Sequence, residues 1–276
     1  MTGANKLMMA GGGSGVDWIF TNASYVGEKV VDNTISFDKR ADNGSMIIVK
    51  DQIFRSLTMA SGVISSSSLD AGSYDPSVSG YGTLWAGGVK NDGTKIYGIT
   101  YLAPNWVLRE WNLNSGWPNN PFSSAPSFVA SKDPGIAAFY KFKISPTGKY
   151  FYLLDNVNQI HRLNLTTPWQ ISNSTVDETN LFADMFDVYD FQFSSSGNQV
   201  AVTGKLTSGT TTSEYYLWVF ELDTPFNVSA ASTTLSQSYT LIGGSDLGFG
   251  ETFMIDDAAE NLYITSGLYV KQFALS

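Results

Sequence analysis

Phe142-Lys-Ile144-Ser-Pro-Thr-Gly148-Lys-Tyr150-Phe-Tyr-Leu-Leu154, followed by Ile160-His-Arg-Leu163-Asn-Leu165-Thr-Thr-Pro-Trp169, is the stretch that decides the fold. A strand runs into a Pro-Thr-Gly turn. The next strand is apolar at nearly every place, and a third alternates. Short strands that are continuously apolar are buried on both faces. The third strand recurs as Phe54-Arg-Ser-Leu57-Thr-Met59, Val107-Leu-Arg-Glu-Trp111-Asn-Leu113, Leu217-Trp-Val-Phe220-Glu-Leu222 and Val270-Lys-Gln-Phe273-Ala-Leu275. Its last apolar residue falls at 59, 113, 165, 222 and 275, spaced by 54, 52, 57 and 53 residues. A fixed period of this size marks one supersecondary unit used repeatedly.

The other pieces repeat in step. The turns Asp42-Asn-Gly44, Asn91-Asp-Gly93, Pro146-Thr-Gly148, Ser195-Ser-Gly197 and Ala259-Glu-Asn261 each join two strands. These residues suit hairpin turns, with Asn261 as the left-handed substitute in the fifth. Thr167-Pro-Trp169-Gln-Ile-Ser172 and Thr224-Pro-Phe226-Asn-Val-Ser229 follow the third strands of two units, with Ser115-Gly-Trp117-Pro118 as a looser version. Weaker apolar runs come next, at Phe128-Val-Ala130, Leu181-Phe182 and Tyr239-Thr-Leu-Ile242, and are expected to be outer strands. Four strands repeated around an axis predict an all-β fold, a five-bladed β-propeller of four-stranded antiparallel blades.

The last unit stops at Leu275, before its outer strand. Trp18-Ile-Phe20-Thr-Asn-Ala-Ser24 aligns with Trp169-Gln-Ile-Ser-Asn-Ser-Thr175. Residues 16–31 are therefore expected to complete the fifth blade, with Trp18 and Phe20 closing the ring and removing an exposed edge. The blades are predicted at about 32–80, 81–133, 134–186, 187–246, and 247–276 plus 16–31, with residues 1–15 as an arm. The Gly11-Gly-Gly-Ser-Gly15 run reads as a flexible tether, and Leu7, Met8 and Met9 as the arm's apolar contact, either with a partner or folded back on its own propeller.

Composition restricts function. The net charge is −9, with no Lys/Arg run, which argues against nucleic acid and anionic membrane as partners. No segment is long and apolar enough for membrane insertion, and the N-terminus lacks the apolar core of a secretory signal. The five N-x-S/T triplets, at Asn22, Asn43, Asn164, Asn173 and Asn227, read as chance in a Ser/Thr-rich chain. Without cysteine there is no thiolate metal site and no thiol nucleophile. The one histidine, His161, occupies a variable position of the third strand, so a hydroxyl–imidazole–carboxylate relay is not expected. Asp184, Asp187 and Asp190, with Asp256 and Asp257, are expected to be solvated turn carboxylates. A hard-cation site or the carboxylate pair of a propeller glycoside hydrolase is the less favoured reading. No catalytic, cofactor or metal residues are assigned. Trp106 and Trp117, beside Pro104 and Pro118, are the candidate exposed glycan contacts.

The unit from Ser145 to Asp155 and from Ile160 to Ser172 resembles the β-propeller repeats, of YVTN/WD40-like type, in bacteriophage and marine bacterial proteins. Residues 191–229 carry the pattern more weakly, and the first two units are degenerate. The start, Met-Thr-Gly-Ala-Asn-Lys-Leu-Met-Met-Ala, resembles tailed-phage structural proteins. The resemblance implies a non-enzymatic virion component of tail, baseplate, fibre or capsid surface, made in the host cytoplasm. Its implied partners are other virion proteins and a host surface glycan. A carbohydrate-binding adhesin is the alternative.

Overall fold

The computed structural model describes residues 23–30, 34–39, 45–59, 64–114, 121–181, 187–205, 215–229, 233–241, 252–255, 261–266 and 269–275. Their strands form five four-stranded antiparallel sheets. Blade 1 is β2 (Thr34–Lys39), β3 (Ser45–Lys50), β4 (Ile53–Thr58) and β5 (Ser68–Tyr74). Blade 2 is β6 (Thr83–Val89), β7 (Lys95–Leu102), β8 (Asn105–Asn112) and β9 (Ser127–Lys132). Blade 3 is β10 (Phe139–Ile144), β11 (Tyr150–Asp155), β12 (Gln159–Leu165) and β13 (Ser174–Leu181). Blade 4 is β14 (Asp187–Phe193), β15 (Gln199–Lys205), β16 (Tyr215–Leu222) and β17 (Thr233–Leu241). Blade 5 is β18 (Phe253–Ile255), β19 (Asn261–Ser266), β20 (Tyr269–Leu275) and, as its outer strand, β1 (Ala23–Val30).

The ring closes as expected. β1 pairs antiparallel with β20 from Ala23↔Leu275 to Val30↔Tyr269, and the inner strands β2, β6, β10, β14 and β18 touch in a complete cycle. The chain is thus a five-bladed β-propeller. Trp18 and Phe20, and the arm residues Leu7, Met8 and Met9, lie outside the described residues.

The second strands explain the continuous apolar runs. In β11, Phe151 and Leu153 join the core with blade 2, while Tyr152 and Leu154 join the core with blade 4. In β3, Ile47 and Val49 face blade 2 and Met46 and Ile48 face blade 5. Alternate side chains point to opposite faces of a strand, and here each face meets a neighbouring blade. Five apolar clusters result, one per blade interface. The cluster across the seam (Met46, Ile48, Leu57, Met59 and Ile64 against Met254, Tyr263 and Val270) is as fully buried as the others.

The turn glycines have a steric reason. Gly148 and Gly197 have φ of 67° and 76°, where a side chain is strained. A Cβ at either would also lie 2.1 Å from the Trp169 ring or 2.3 Å from the Phe226 ring. Each aromatic caps its own blade's hairpin. Trp169 N donates to the Gly148 carbonyl (2.9 Å) and Phe226 N to the Gly197 carbonyl (2.8 Å).

Some boundaries differ from the sequence reading. The outer strand of blade 3 begins at Ser174, directly after the short 3-10 turn Ile171–Asn173, well before Leu181. The outer strand of blade 4 begins at Thr233. Both start polar, because an outer strand has one face to water and needs no apolar run. Asn261 opens β19, and its Oδ1 accepts from Gln272 Nε2 at 2.8 Å.

Candidate functional site

The polar groups at the blade interfaces come first, because they settle which side chains are already committed. Tyr97 Oη of blade 2 donates to the Trp169 carbonyl of blade 3 at 2.9 Å, and Glu110 Oε2 accepts from Ile171 N at 3.1 Å. One blade on, Tyr152 Oη donates to the Phe226 carbonyl at 2.8 Å, and Glu178 Oε2 accepts from Val228 N at 3.1 Å. At the seam, Gln272 Oε1 of blade 5 accepts from Ile64 N of blade 1 at 2.8 Å. These latches hold the turn before an outer strand against the preceding blade. Burial pushes the Tyr97 and Tyr152 hydroxyls up from the ordinary phenol value, the nearby Glu110 carboxylate adding to it for Tyr97. Arg162 stacks over Tyr150 (4.6 Å) and forks onto Asp177 through Nε (2.9 Å) and Nη2 (3.0 Å). Burial would lower its pKa, but the Asp177 and Glu178 carboxylates outweigh that and raise it. Sequence reasoning missed the latches, although tyrosine at one place in three second strands (Tyr97, Tyr152, Tyr263) was a usable signal.

Asp190 corrects an expectation. It is fully buried in β14 rather than solvated in a turn. Its Oδ2 accepts from Thr252 Oγ1 (2.6 Å) and Phe253 N (3.1 Å) of blade 5 and pairs with Lys143 Nζ of blade 3 at 3.2 Å. Its Oδ1 accepts from Phe191 N at 2.8 Å. Oδ2 thus joins blades 3, 4 and 5, while Oδ1 stays with its own strand. Two residues on, Gln192 accepts from Ile255 N (2.8 Å) and donates to the Ile255 carbonyl (2.6 Å). Alternation put Asp190 beside the buried Phe191, but the neighbouring Asp184 and Asp187 disguised it as one of an acidic run. Asp187 opens β14 and is exposed, while Asp184, Asp256 and Asp257 lie outside the described residues.

His161 has more company than its variable repeat position implied. Nε2 lies 2.9 Å from Asp155 Oδ2 and Nδ1 lies 3.0 Å from Thr179 Oγ1, directly across the β12–β13 ladder. The other Asp155 oxygen accepts from Val157 N (2.9 Å) and Gln159 N (2.8 Å), shaping the β11–β12 turn. Carboxylate, imidazole and hydroxyl thus form one row that fixes a hairpin and an outer strand. Among the described residues no group of three or more His, Asp or Glu is placed to hold a metal ion, and no helix is long and apolar enough to cross a membrane.

The aromatic surface lies at the end of the ring that carries the blade-to-blade loops. Inner strands bulge there at one repeated place, at Ile35, Trp85, Tyr140 and Tyr189. A bulge re-aims its residue and shifts the alternation by one, so these positions were invisible to a period-2 reading. Tyr140 turns to the next blade and donates to the Val188 carbonyl at 2.8 Å. Burial, with the Asp155 and Asp190 carboxylates, raises its pKa. Trp85 instead remains 40% exposed. It leans on Trp106 (ring centroids 5.3 Å), which touches Tyr101 (5.0 Å) and Phe139 of blade 3 (6.2 Å). Trp106, expected as an exposed loop residue, is the second residue of β8 and half-buried. Its burial follows from that strand register, because the β7–β8 turn is only Ala103-Pro104. Trp117 lies outside the described residues.

Comparison with protein-family models and with curated proteins gives no match. Among solved structures, the chain is similar to a putative 6-phosphogluconolactonase from Bacteroides uniformis (12% identity, 81% of this chain, TM-score 0.48) and spans 61% of that protein's length. It is also similar to the β-propeller domain of Cps50 (Swd1) from Myceliophteria thermophila, at 6% identity over 88% of this chain and 83% of that one, with a TM-score of 0.47.

Proposed function

We propose that this propeller is a non-enzymatic structural and interaction module, a component of a tailed-phage particle displayed on the tail, baseplate, fibre or capsid surface. The observation that carries the non-enzymatic reading is the fate of the polar side chains at its blade interfaces. Asp190, Glu110, Glu178, Gln192 and Gln272 all place oxygen acceptors on groups of a neighbouring blade, which favours a rigid carrier over a reaction centre. The phage-like repeat of residues 145–172 supports the virion setting, and the arm, through Leu7, Met8 and Met9, is the anchor to another virion protein.

Detection of the chain by mass spectrometry in purified particles, at a stoichiometry fixed across preparations, is the expected result. Removal of residues 1–15 should leave a soluble propeller that no longer co-purifies with particles. Absence of the full-length chain from particles would overturn the proposal.

A further inference from the structure

The hairpins between second and third strands of blades 2 and 3 are unequal in height. At equivalent places in the repeat, the blade 3 ladder ends at Leu154↔Ile160. The blade 2 ladder continues past the corresponding Ile99↔Leu108 pair through Thr100↔Val107, Tyr101↔Trp106 and Leu102↔Asn105. Eight residues (100–107) lie beyond that pair against five (155–159) in blade 3, so at ~3.4 Å per residue the extra chain, shared between two arms, raises the hairpin tip roughly 5 Å above its neighbour. Trp106 packs toward blade 3, so the rings of Tyr101 and Trp106, with Trp85 against them, stand on the wall of this step. Leu102, at the tip, is 51% exposed. The floor is the blade 3 hairpin, where Asn156 and Val157 are exposed and Asn156 N is tied to the Ala138 carbonyl of the preceding loop at 3.3 Å.

From this geometry we infer a binding site for a neutral oligosaccharide, with Trp85 as the ring platform and Trp106 and Tyr101 as its support. Exposed Trp85 over half-buried Trp106 and Tyr101, beside exposed Leu102 and Val157, makes a surface patch of the kind that marks an interaction site. A step with an aromatic wall and an amide-bearing floor matches a sugar ring, which offers C–H groups on its face and hydroxyls at its rim. Charge selects among sugars. With a net charge of −9, the surface repels sialylated or uronic glycans, so the ligand class is uncharged. A Trp at the bulge of blade 2 differs from Tyr140 of blade 3 in keeping its ring free of the next blade's backbone.

The test uses the full chain on an array of neutral and anionic glycans, followed by tryptophan-fluorescence titration with the best neutral tetra- to hexasaccharides. Saturable binding is expected. Trp85→Ala should weaken it at least about tenfold, equivalent to about 1.4 kcal/mol, while Trp85→Phe keeps most of the affinity. Thermal melts should show both variants folded, since Trp85 is 40% exposed and lies outside the apolar clusters between blades. Absence of saturable binding to any neutral glycan, binding confined to anionic glycans, or unchanged affinity in folded Trp85→Ala would each overturn the inference. The particle proposal stands apart, because Trp85→Ala should co-purify with particles as the unaltered chain does.

Discussion

The interface between blades 3 and 4 and the one between blades 4 and 5 are built from the same repeat positions, yet their polar side chains differ. Between blades 3 and 4 polar bonds lie both on the inner strand, where Tyr140 and Lys143 reach Val188 and Asp190, and farther out, where Tyr152 and Glu178 seize the Phe226–Val228 turn. At the places in blade 4 that match Tyr152 and its cross-strand partner Arg162 stand Ala201 and Val219, which cannot hydrogen-bond through their side chains. There Asp190 and Gln192 of the inner strand grip the backbone of β18. Blade 3 has Lys141 at the place matching Asp190, a donor where blade 4 has an acceptor. The two interfaces share bonds on the inner strands, and the latch farther out is added where the second and outer strands supply a phenol and a carboxylate.

The largest effect should come from cutting the inner stitch. Asp190→Ala strands Lys143 without its buried partner and leaves Phe253 N without its acceptor. Breaking a buried pair from one side costs about 3–5 kcal/mol, to be read from denaturant midpoints. Asp190→Asn retains an acceptor for the Phe253 amide and should lose clearly less. Equal losses in the two variants would show that charge, rather than the backbone stitch, holds blades 4 and 5. The next largest belongs to the hairpin cap of blade 3. Gly148→Ala forces a Cβ to within 2.1 Å of the Trp169 ring at a φ of 67°, a strain of roughly 1–3 kcal/mol. Adding Trp169→Ala removes the clash, so the double variant should be more stable than the sum of the single losses by about 0.5–3 kcal/mol. Strict additivity would mean that backbone conformation alone selects the glycine.

The comparison also explains what could be read in advance. The ring, the blade number and the closing strand were legible because they depend on apolar spacing, and core faces tolerate few substitutes for Phe151 or Leu163. The stitches were not legible, because a lone Glu110 or Gln272 looks like any strand residue until the next blade's turn is set beside it. Trp85 was hidden for another reason: the bulge between Leu84 and Ala86 breaks the alternation on which strand readings depend. Trp106 was noticed for the wrong surroundings, since Pro104 signals a turn but not that the ladder resumes at once.

The smallest effect expected is the loss of one latch hydroxyl, and it separates the two interfaces most cleanly by pH. Tyr152→Phe removes the bond to the Phe226 carbonyl, which still accepts from Arg162 Nη1 at 3.2 Å, so the loss should be at the low end of about 0.5–1.5 kcal/mol. Burial raises the Tyr97 and Tyr152 pKa values in the fold, above the roughly 10 of an unfolded chain. The neutral phenol is thus favoured by folding. Its contribution is fully present below about pH 10 and declines as pH rises from there toward the folded values. Stability of the wild-type chain should accordingly fall as pH rises above about 10. The slope should be shallower in Tyr152→Phe and shallower again when Tyr97→Phe is added. The inner stitch of blades 4 and 5 contains no phenol. Asp190→Ala should therefore lower the whole alkaline profile, and because the Asp190 carboxylate also helps raise the Tyr140 pKa, the slope should become slightly shallower; an unchanged slope would mean that Tyr140 contributes little to it.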